Sequence, residues 1–317
     1  MRRMLLLVIL ASPMAAVAQD CPQTMPTIML DEQTGTFVPS MTASRLHAKI
    51  GSSLVPVTSV ERISGFRLLI LIDASASMEE TSQPFTRLHT AVALVNDTLD
   101  ELLGELPAGV EVEYGLFNTF AVFGPNFTAD REELRQSKAD LVQRLKHKGL
   151  KTTALYAAIR EGLTRFDSPH PGDSILMVTD GQDNESAVGP GKIQGEAAQK
   201  GIRLFSIVMR NNEMDYDGSR INLLNFAERT GASLHVISTS RNSQLGKKEP
   251  EEEKQDLQRF LKNEVLSGYL LRFNPPAGKR KGKWMLSVDR LPGQTFRVVS
   301  SFPSHLNPCP VTTAAAR

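Results

Sequence analysis

A doubly wound α/β sheet with helices on its faces, joined to a small antiparallel β unit, is the fold the sequence predicts. Three observations carry it. From about residue 67 to residue 266, apolar strand-like runs alternate with amphipathic helical stretches, the pattern of parallel strands joined by helical crossovers. The run Leu68-Leu69-Ile70-Leu71-Ile72 is apolar without alternation, as a strand buried on both faces must be. On both flanks of that span the pattern changes to short half-apolar runs separated by Pro and Gly turns.

The chain opens on a leader. Arg2-Arg3, an apolar stretch at 4–10 and Ala16-Val17-Ala18 predict a signal peptide over residues 1–18, cut before Gln19. The stretch is far shorter than the ~20 residues of a bilayer span, and no later segment reaches that length. No cysteine stands where lipid attachment needs one, because Gln19-Asp20 precedes Cys21. The mature chain is therefore expected to be soluble and exported, periplasmic or secreted.

An N-terminal β segment (19–63) is predicted next, with strands at 45–50, where Leu46, Ala48 and Ile50 alternate, and at 54–60, joined at Gly51-Ser52. The α/β domain (64–266) takes strands at 67–73, 110–117, 174–179, 202–208 and 233–238. Between them, Leu88, Val92, Val95, Leu99 and Leu102 form one apolar helical stripe, Leu134, Leu141 and Leu145 a second, and Leu155, Ile159 and Leu163 a third. Ile221, Leu224 and Phe226-Ala227 mark a helix that stops at Gly231. A charged helix over 249–266 carries Leu257, Phe260-Leu261 and Val265 on one face, and its Glu251-Glu252-Glu253 run suits the helix dipole. A C-terminal β segment (267–310) has strands at 269–273, 284–288 and 296–301, with turns at Asn274-Pro275-Pro276 and Leu291-Pro292-Gly293. Neither flank has strands enough for its own core, so the two are expected to pack together. Residues 311–317 are expected to be a disordered tail.

Composition narrows the function classes. With 41% apolar and 22% charged residues, the 317-residue chain is an ordinary globular protein. A net charge of +1 gives no reason to expect nucleic acid or an anionic membrane as partner. The one basic cluster, Lys279-Arg280-Lys281-Gly282-Lys283, reads as a solvated hairpin turn. The only cysteines, Cys21 and Cys309, form an even pair, which in an oxidising compartment reads as a disulfide tying the termini together. In the chain-entropy picture so long a loop contributes ~5 kcal/mol. Two free or separately paired thiols are the alternative. The flanking Pro22, Pro308 and Pro310 disfavour a cysteine nucleophile.

Chemistry concentrates where strands end. Asp73-Ala74-Ser75-Ala76-Ser77 follows the buried run directly and offers a carboxylate and two hydroxyls, hard oxygen donors of the kind Mg²⁺ or Mn²⁺ takes. Lys151-Thr152-Thr153-Ala154-Leu155-Tyr156 places hydroxyls just ahead of a helix, which alone is also what an N-cap looks like. Thr179-Asp180-Gly181-Gln182-Asp183 ends another buried strand, and alone reads as an Asp-Gly turn. In an open α/β sheet all three clusters would face one crevice beyond the strand ends.

On these residues the chain resembles the von Willebrand factor type A (VWA) domain family, over about 66–266. That family's metal-ion-dependent adhesion site combines Asp-x-Ser-x-Ser, a later Thr before Ala-Leu-Tyr, and a Thr-Asp-Gly strand end, matched here by Asp73-Ala74-Ser75-Ala76-Ser77, Thr153-Ala154-Leu155-Tyr156 and Thr179-Asp180-Gly181. The β segment on each side and Tyr269-Leu270-Leu271-Arg272-Phe273-Asn274-Pro275 resemble a bacterial exported subgroup. The resemblance implies that Ser75, Ser77 and Thr153 give hydroxyl oxygens to the metal, with Asp73 and Asp180 acting directly or through water. It implies a partner protein that presents an Asp or Glu to the cation, and no catalysis. The chain departs from the pattern at Ala76, where the family often has Gly, and at Lys151-Thr152, where Gly often precedes the Thr. Ala157 stands in place of a common Asp. An inward Lys151 ammonium would compete with the cation, and Thr152 is the alternative hydroxyl. Lys151 and Asp183 are possible ligand-rim residues.

No His-Glu-x-x-His, no Gly-x-Ser-x-Gly, no phosphate-binding glycine loop and no Cys-His pairing accompanies the site. The leading expectation is an exported, non-enzymatic, metal-dependent binding module. The alternatives are a metal-assisted phosphoester hydrolase and a scaffold with an idle or metal-free site.

Overall fold

The structure, a computed structural model, describes residues 22–50, 53–79, 87–146, 152–210, 218–238, 249–274, 284–288 and 295–300. Its strands are β1 Gln23–Asp31, β2 Leu46–Ile50, β3 Ser53–Arg62, β4 Arg67–Asp73, β5 Glu111–Phe117, β6 Ala121–Phe123, β7 Ser174–Thr179, β8 Arg203–Arg210, β9 Leu234–Ser238, β10 Tyr269–Phe273, β11 Trp284–Val288 and β12 Phe296–Ser300. Its helices are α1 Ala76–Glu79, α2 Arg87–Leu102, α3 Arg131–Lys146, α4 Leu155–Thr164, α5 Pro190–Lys200, α6 Ser219–Thr230 and α7 Pro250–Phe260, the last continuing into a π-helical turn, Leu261–Val265.

The central six-stranded sheet has the order β6-β5-β4-β7-β8-β9. All neighbours are parallel except β6, which the Asn118–Thr119–Phe120 turn folds back onto the end of β5 as an antiparallel edge. This edge hairpin is the one departure from the expected wholly parallel sheet. Strand order reverses at β4, which lies between β5 and β7, so the crevice of the fold opens at the carboxyl end of β4.

Alternation along β4 divides the two faces. Leu68, Ile70 and Ile72 pack with Val95, Leu99 and Leu102 of α2, Leu134, Leu141 and Leu145 of α3, and Leu257 and Phe260 of α7. Leu69 and Leu71 pack with Leu155, Ile159 and Leu163 of α4, Ile193 of α5, and Leu223 and Phe226 of α6. Each such side chain contributes about 1.5–3 kcal/mol by leaving water, which is why this strand is uniformly apolar.

Two helices correct the sequence reading. In α6 the buried stripe is Leu223, Phe226 and Ala227, whereas Ile221 and Leu224 point to solvent, 64% and 44% exposed. α5 was not expected, because Gly191 and Gly195 dilute its pattern; Pro190 at its first turn and Gly201 after its end are its signals.

The second sheet has the order β11-β2-β3-β10-β1-β12, antiparallel throughout, and interleaves strands from both flanks as expected. Met25, Met29, Leu46, Val55, Tyr269 and Leu271 form its own core, where Phe37 stacks on Tyr269 at 5.1 Å. Its other face is not free. Ile28, Leu30, Ile63 and Leu270 join the core built on β4, α2 and α7. β1, missing from the sequence reading, is thus buried on both faces from Thr27 to Leu30 and shows no alternation there to read. Pro26 also weakens the strand signal; the β12 ladder begins one residue beyond it, at Thr27. Cys21, Cys309, Lys151, the leader, the tail and the 279–283 basic cluster lie outside the described residues.

Candidate metal centre

β4 ends at Asp73, and three bonds shape the turn that leaves it. Ala74 N donates to Phe117 O of β5 (2.7 Å), Ser75 N donates to Asp73 Oδ1 (2.9 Å), and Met78 N donates to Ser75 O (3.1 Å). The Asp73 side chain so closes a tight turn, and buried Met78 pins the short α1 to the core. Ala76 opens α1, where a methyl is welcome. Ser75 Oγ and Ser77 Oγ meet at 3.0 Å.

β7, adjacent and parallel, brings the second acid. Thr179 Oγ1 donates across the strands to Asp73 Oδ2 (2.7 Å) and accepts Gly181 N (2.9 Å). Gly181 has φ +86°, a turn that favours glycine and sends the chain away after Asp180. Asp180 Oδ1 accepts Gln182 N (3.1 Å). Asp180 Oδ2 is buried and has no hydrogen-bond partner among the described residues.

The third cluster arrives by a different route. Thr153 N donates to Asn184 Oδ1 (2.9 Å), and Thr153 O accepts Asn184 N (3.0 Å) and Glu185 N (3.2 Å). Ala154 N donates to Asn118 O at the end of β5 (2.8 Å). Ala154 cannot cap α4 with its side chain, so the cap comes from the β7–α5 loop: Asp183 Oδ2 accepts Tyr156 N and Ser186 Oγ accepts Ala157 N, both at 2.9 Å.

All five residues predicted to hold metal therefore lie at the same end of the sheet. Asp73, Ser75, Asp180 and Thr153 are buried and Ser77 half-buried. Hydrogen bonds join Asp73 to Ser75 and Thr179, and Ser75 to Ser77, while Thr153 is joined to the Asp180 loop through Asn184. Thr152 Oγ1 pairs with Thr119 Oγ1 (2.7 Å), so this alternative hydroxyl already has a partner. Asp183, the rim candidate, has both oxygens engaged by backbone N–H groups of 156, 185 and 186. Thr179, Asn118 and Ser186 were not given roles in the site from sequence. Only the Thr-Asp-Gly motif hinted at the first.

The electrostatics are those of an incomplete site. Burial, and then the neighbouring Asp180 carboxylate, push the Asp73 carboxyl up to about 7, against the hydrogen bonds it accepts. Among the described residues no cation contributes to that balance. Two buried acids, one orphaned carboxylate oxygen and converging hydroxyls form a set that a hard divalent ion would complete. No group of three or more His, Cys, Asp or Glu side chains suited to a metal occurs among the described residues, so a cation held here would need the hydroxyls as well.

The chain matches the sequence model of the von Willebrand factor type A domain over residues 68–247. No curated protein matches it. Similar solved structures include the conserved hypothetical protein BatB from Bacteroides thetaiotaomicron, 19% identical with a TM-score of 0.44, covering 62% of this chain and 98% of that one. The von Willebrand factor type A protein from Catenulispora acidiphila is 11% identical with a TM-score of 0.47, covering 90% and 75%. The ArnB paralog VWA2 from Sulfolobus acidocaldarius is 14% identical with a TM-score of 0.41, covering 81% and 75%. The family match spans more than half of the chain and takes in every predicted metal ligand: this protein belongs to the von Willebrand factor type A domain family.

Proposed function

We propose that the protein is an exported, metal-dependent binding module in which Asp73, Ser75, Ser77, Thr153 and Asp180 hold Mg²⁺ or Mn²⁺ and the site captures an Asp or Glu side chain of a partner protein. VWA domains are often protein-interaction modules. The observation that carries the reading further is the orphaned, buried Asp180 Oδ2 beside the Asp73 carboxylate and the paired Ser75 and Ser77 hydroxyls. A bound divalent ion supplies there a positive centre with a coordination position open to an outside carboxylate. Ser75, Ser77 and Thr153 offer neutral oxygens, so the site's own charge stays low and an external anion remains attractive. Thr179 and the Ser75 N–H hold the Asp73 carboxylate in one orientation. A pull-down from native extract tests the reading: the retained protein should be lost in EDTA, lost with Asp73→Ala, and lost when its carboxyls are amidated beforehand. Retention unaffected by EDTA and by Asp73→Ala would overturn it.

Export rests on the Arg2-Arg3, 4–10 and Ala16-Val17-Ala18 pattern. A Cys21–Cys309 bond suits it: Thr27 pairs with Ser300, so the start of β1 and the end of β12 lie at the same end of the β unit. Alkylation of the denatured, secreted protein should find no thiol before reduction and two after it; labelling before reduction would refute the bond.

A further inference from the structure

Thr153 belongs to no strand or helix, and it reaches the site from a part of the chain remote from both acids. The loop after β7 holds it there. Asn184 grips Thr153 twice, accepting its N–H with Oδ1 and donating its own N–H to its carbonyl. Asp183 and Ser186 then take the next free N–H groups of α4, those of Tyr156 and Ala157. The same loop begins at Asp180 and turns at Gly181. One short segment therefore carries an acid of the site at its start and clasps the hydroxyl residue with its middle, residues 183–186.

A set of donors drawn from separate elements binds an ion well only if their spacing is fixed to within about 0.5 Å. Here that spacing is set by side chains that offer the ion nothing themselves. We propose that Asn184, supported by Asp183 and Ser186, is a positioning residue that fixes Thr153 against Asp180, so that metal affinity depends on this clasp as well as on the donors. The inference rests on the reading of Thr153 and Asp180 as metal-site residues. It also gives a route for site occupancy to reach α4: an ion that tightens the Thr153–Asp180 spacing tightens the cap.

The test is calorimetric titration of the full chain with MgCl₂ and MnCl₂, alongside thermal unfolding in EDTA. Outer groups that orient ligands typically govern about 10–100-fold in affinity. Asn184→Ala should weaken binding by that order with every donor intact, and Asn184→Asp, which keeps the accepting oxygen, should restore it. Ser186→Ala removes one cap acceptor and leaves Thr153 gripped, so a smaller loss is expected; it carries the test should Asn184→Ala not fold. Added Mg²⁺ should slow amide exchange at Thr153, Tyr156 and Ala157. A melting temperature lowered in EDTA with unchanged metal affinity makes the clasp purely structural and overturns the proposal. A wild-type protein that binds neither ion overturns the metal site itself, and the clasp's role with it.

Discussion

Asp73→Asn should raise the melting temperature of the protein in EDTA and abolish its response to Mg²⁺. The two halves of this result come from one cause. Without a cation the fold buries two carboxylates side by side, and burial together with Asp180 raises the Asp73 carboxyl from its ordinary value of 3.8 to about 7. A carboxyl with a raised folded pKa holds its proton in the folded state at a pH where the unfolded chain has lost it. Stability therefore falls as pH rises from about 4 toward 7, because the unfolded state binds fewer protons over that window. Asparagine keeps the shape, removes the charge and removes that slope. The gain at neutral pH is about 4 kcal/mol, or roughly 6 °C for a chain of this size.

With Mg²⁺ the difference narrows. An ion that binds the folded state alone stabilises it by about 2.7 kcal/mol at a hundredfold excess over its dissociation constant, and wild type alone should show this shift. Thermal scans in EDTA and in Mg²⁺ at pH 5 and pH 7.5 give both readings. Equal Mg²⁺ shifts in wild type and variant would remove Asp73 from any cation site. A variant no more stable than wild type in EDTA would mean that the acid pair is not strained without its ion.

That the candidate acids and serines lie at one end of the sheet was legible because they announce themselves locally. Asp73, Ser75 and Ser77 follow a run of apolar residues that can only be a buried strand, and Asp180 follows another. Thr153 was legible through the order of its motif, not through its surroundings. The clasp was not legible, since its bonds join residues 153–157 to 183–186, and pairing between two loops leaves no trace in local pattern. β1 was hidden for a related reason: with Met29 facing one core and Ile28 and Leu30 the other, it lacks the alternation by which half-buried strands are recognised. Ile221 misled because α6 carries apolar residues on two sides, and only packing against β8 decides that Leu223 and Phe226 go inward.

Arg203→Met should cost about 3–5 kcal/mol, the toll of breaking a buried charge network by removing one member. Arg203 is fully buried at the start of β8. Its Nε donates to Ser174 Oγ (3.1 Å), its Nη1 to Ser267 O (3.2 Å), and its Nη2 to Gly172 O (3.1 Å) and Val265 O (3.3 Å). The guanidinium lies 5.6 Å from the Phe66 ring centre and 5.0 Å from that of Phe205. Burial pushes its pKa down, to about 9, while Asp173 opposes the shift, so the group stays charged at neutral pH. Asp173 is in turn gripped by Arg67, whose Nη2 lies 2.6 Å from Oδ2. Val265 and Ser267 sit where the π-helical turn passes into β10, so this side chain fastens the central sheet to the β unit. Methionine fills much of the space and leaves three carbonyls without this donor. Of these, Gly172 O keeps Ser174 Oγ as a donor, at 2.6 Å. Lysine should rescue little, because one ammonium cannot span acceptors arranged around a planar fork. The surface Lys254–Glu101 pair offers the contrast, and Lys254→Ala should cost far less than Arg203→Met. Urea unfolding of the three variants in EDTA separates the cases. A loss below about 1 kcal/mol for Arg203→Met would mean that the freed carbonyls find other donors, and that other contacts, such as those of Ile28, Leu30 and Leu270, hold the two sheets together.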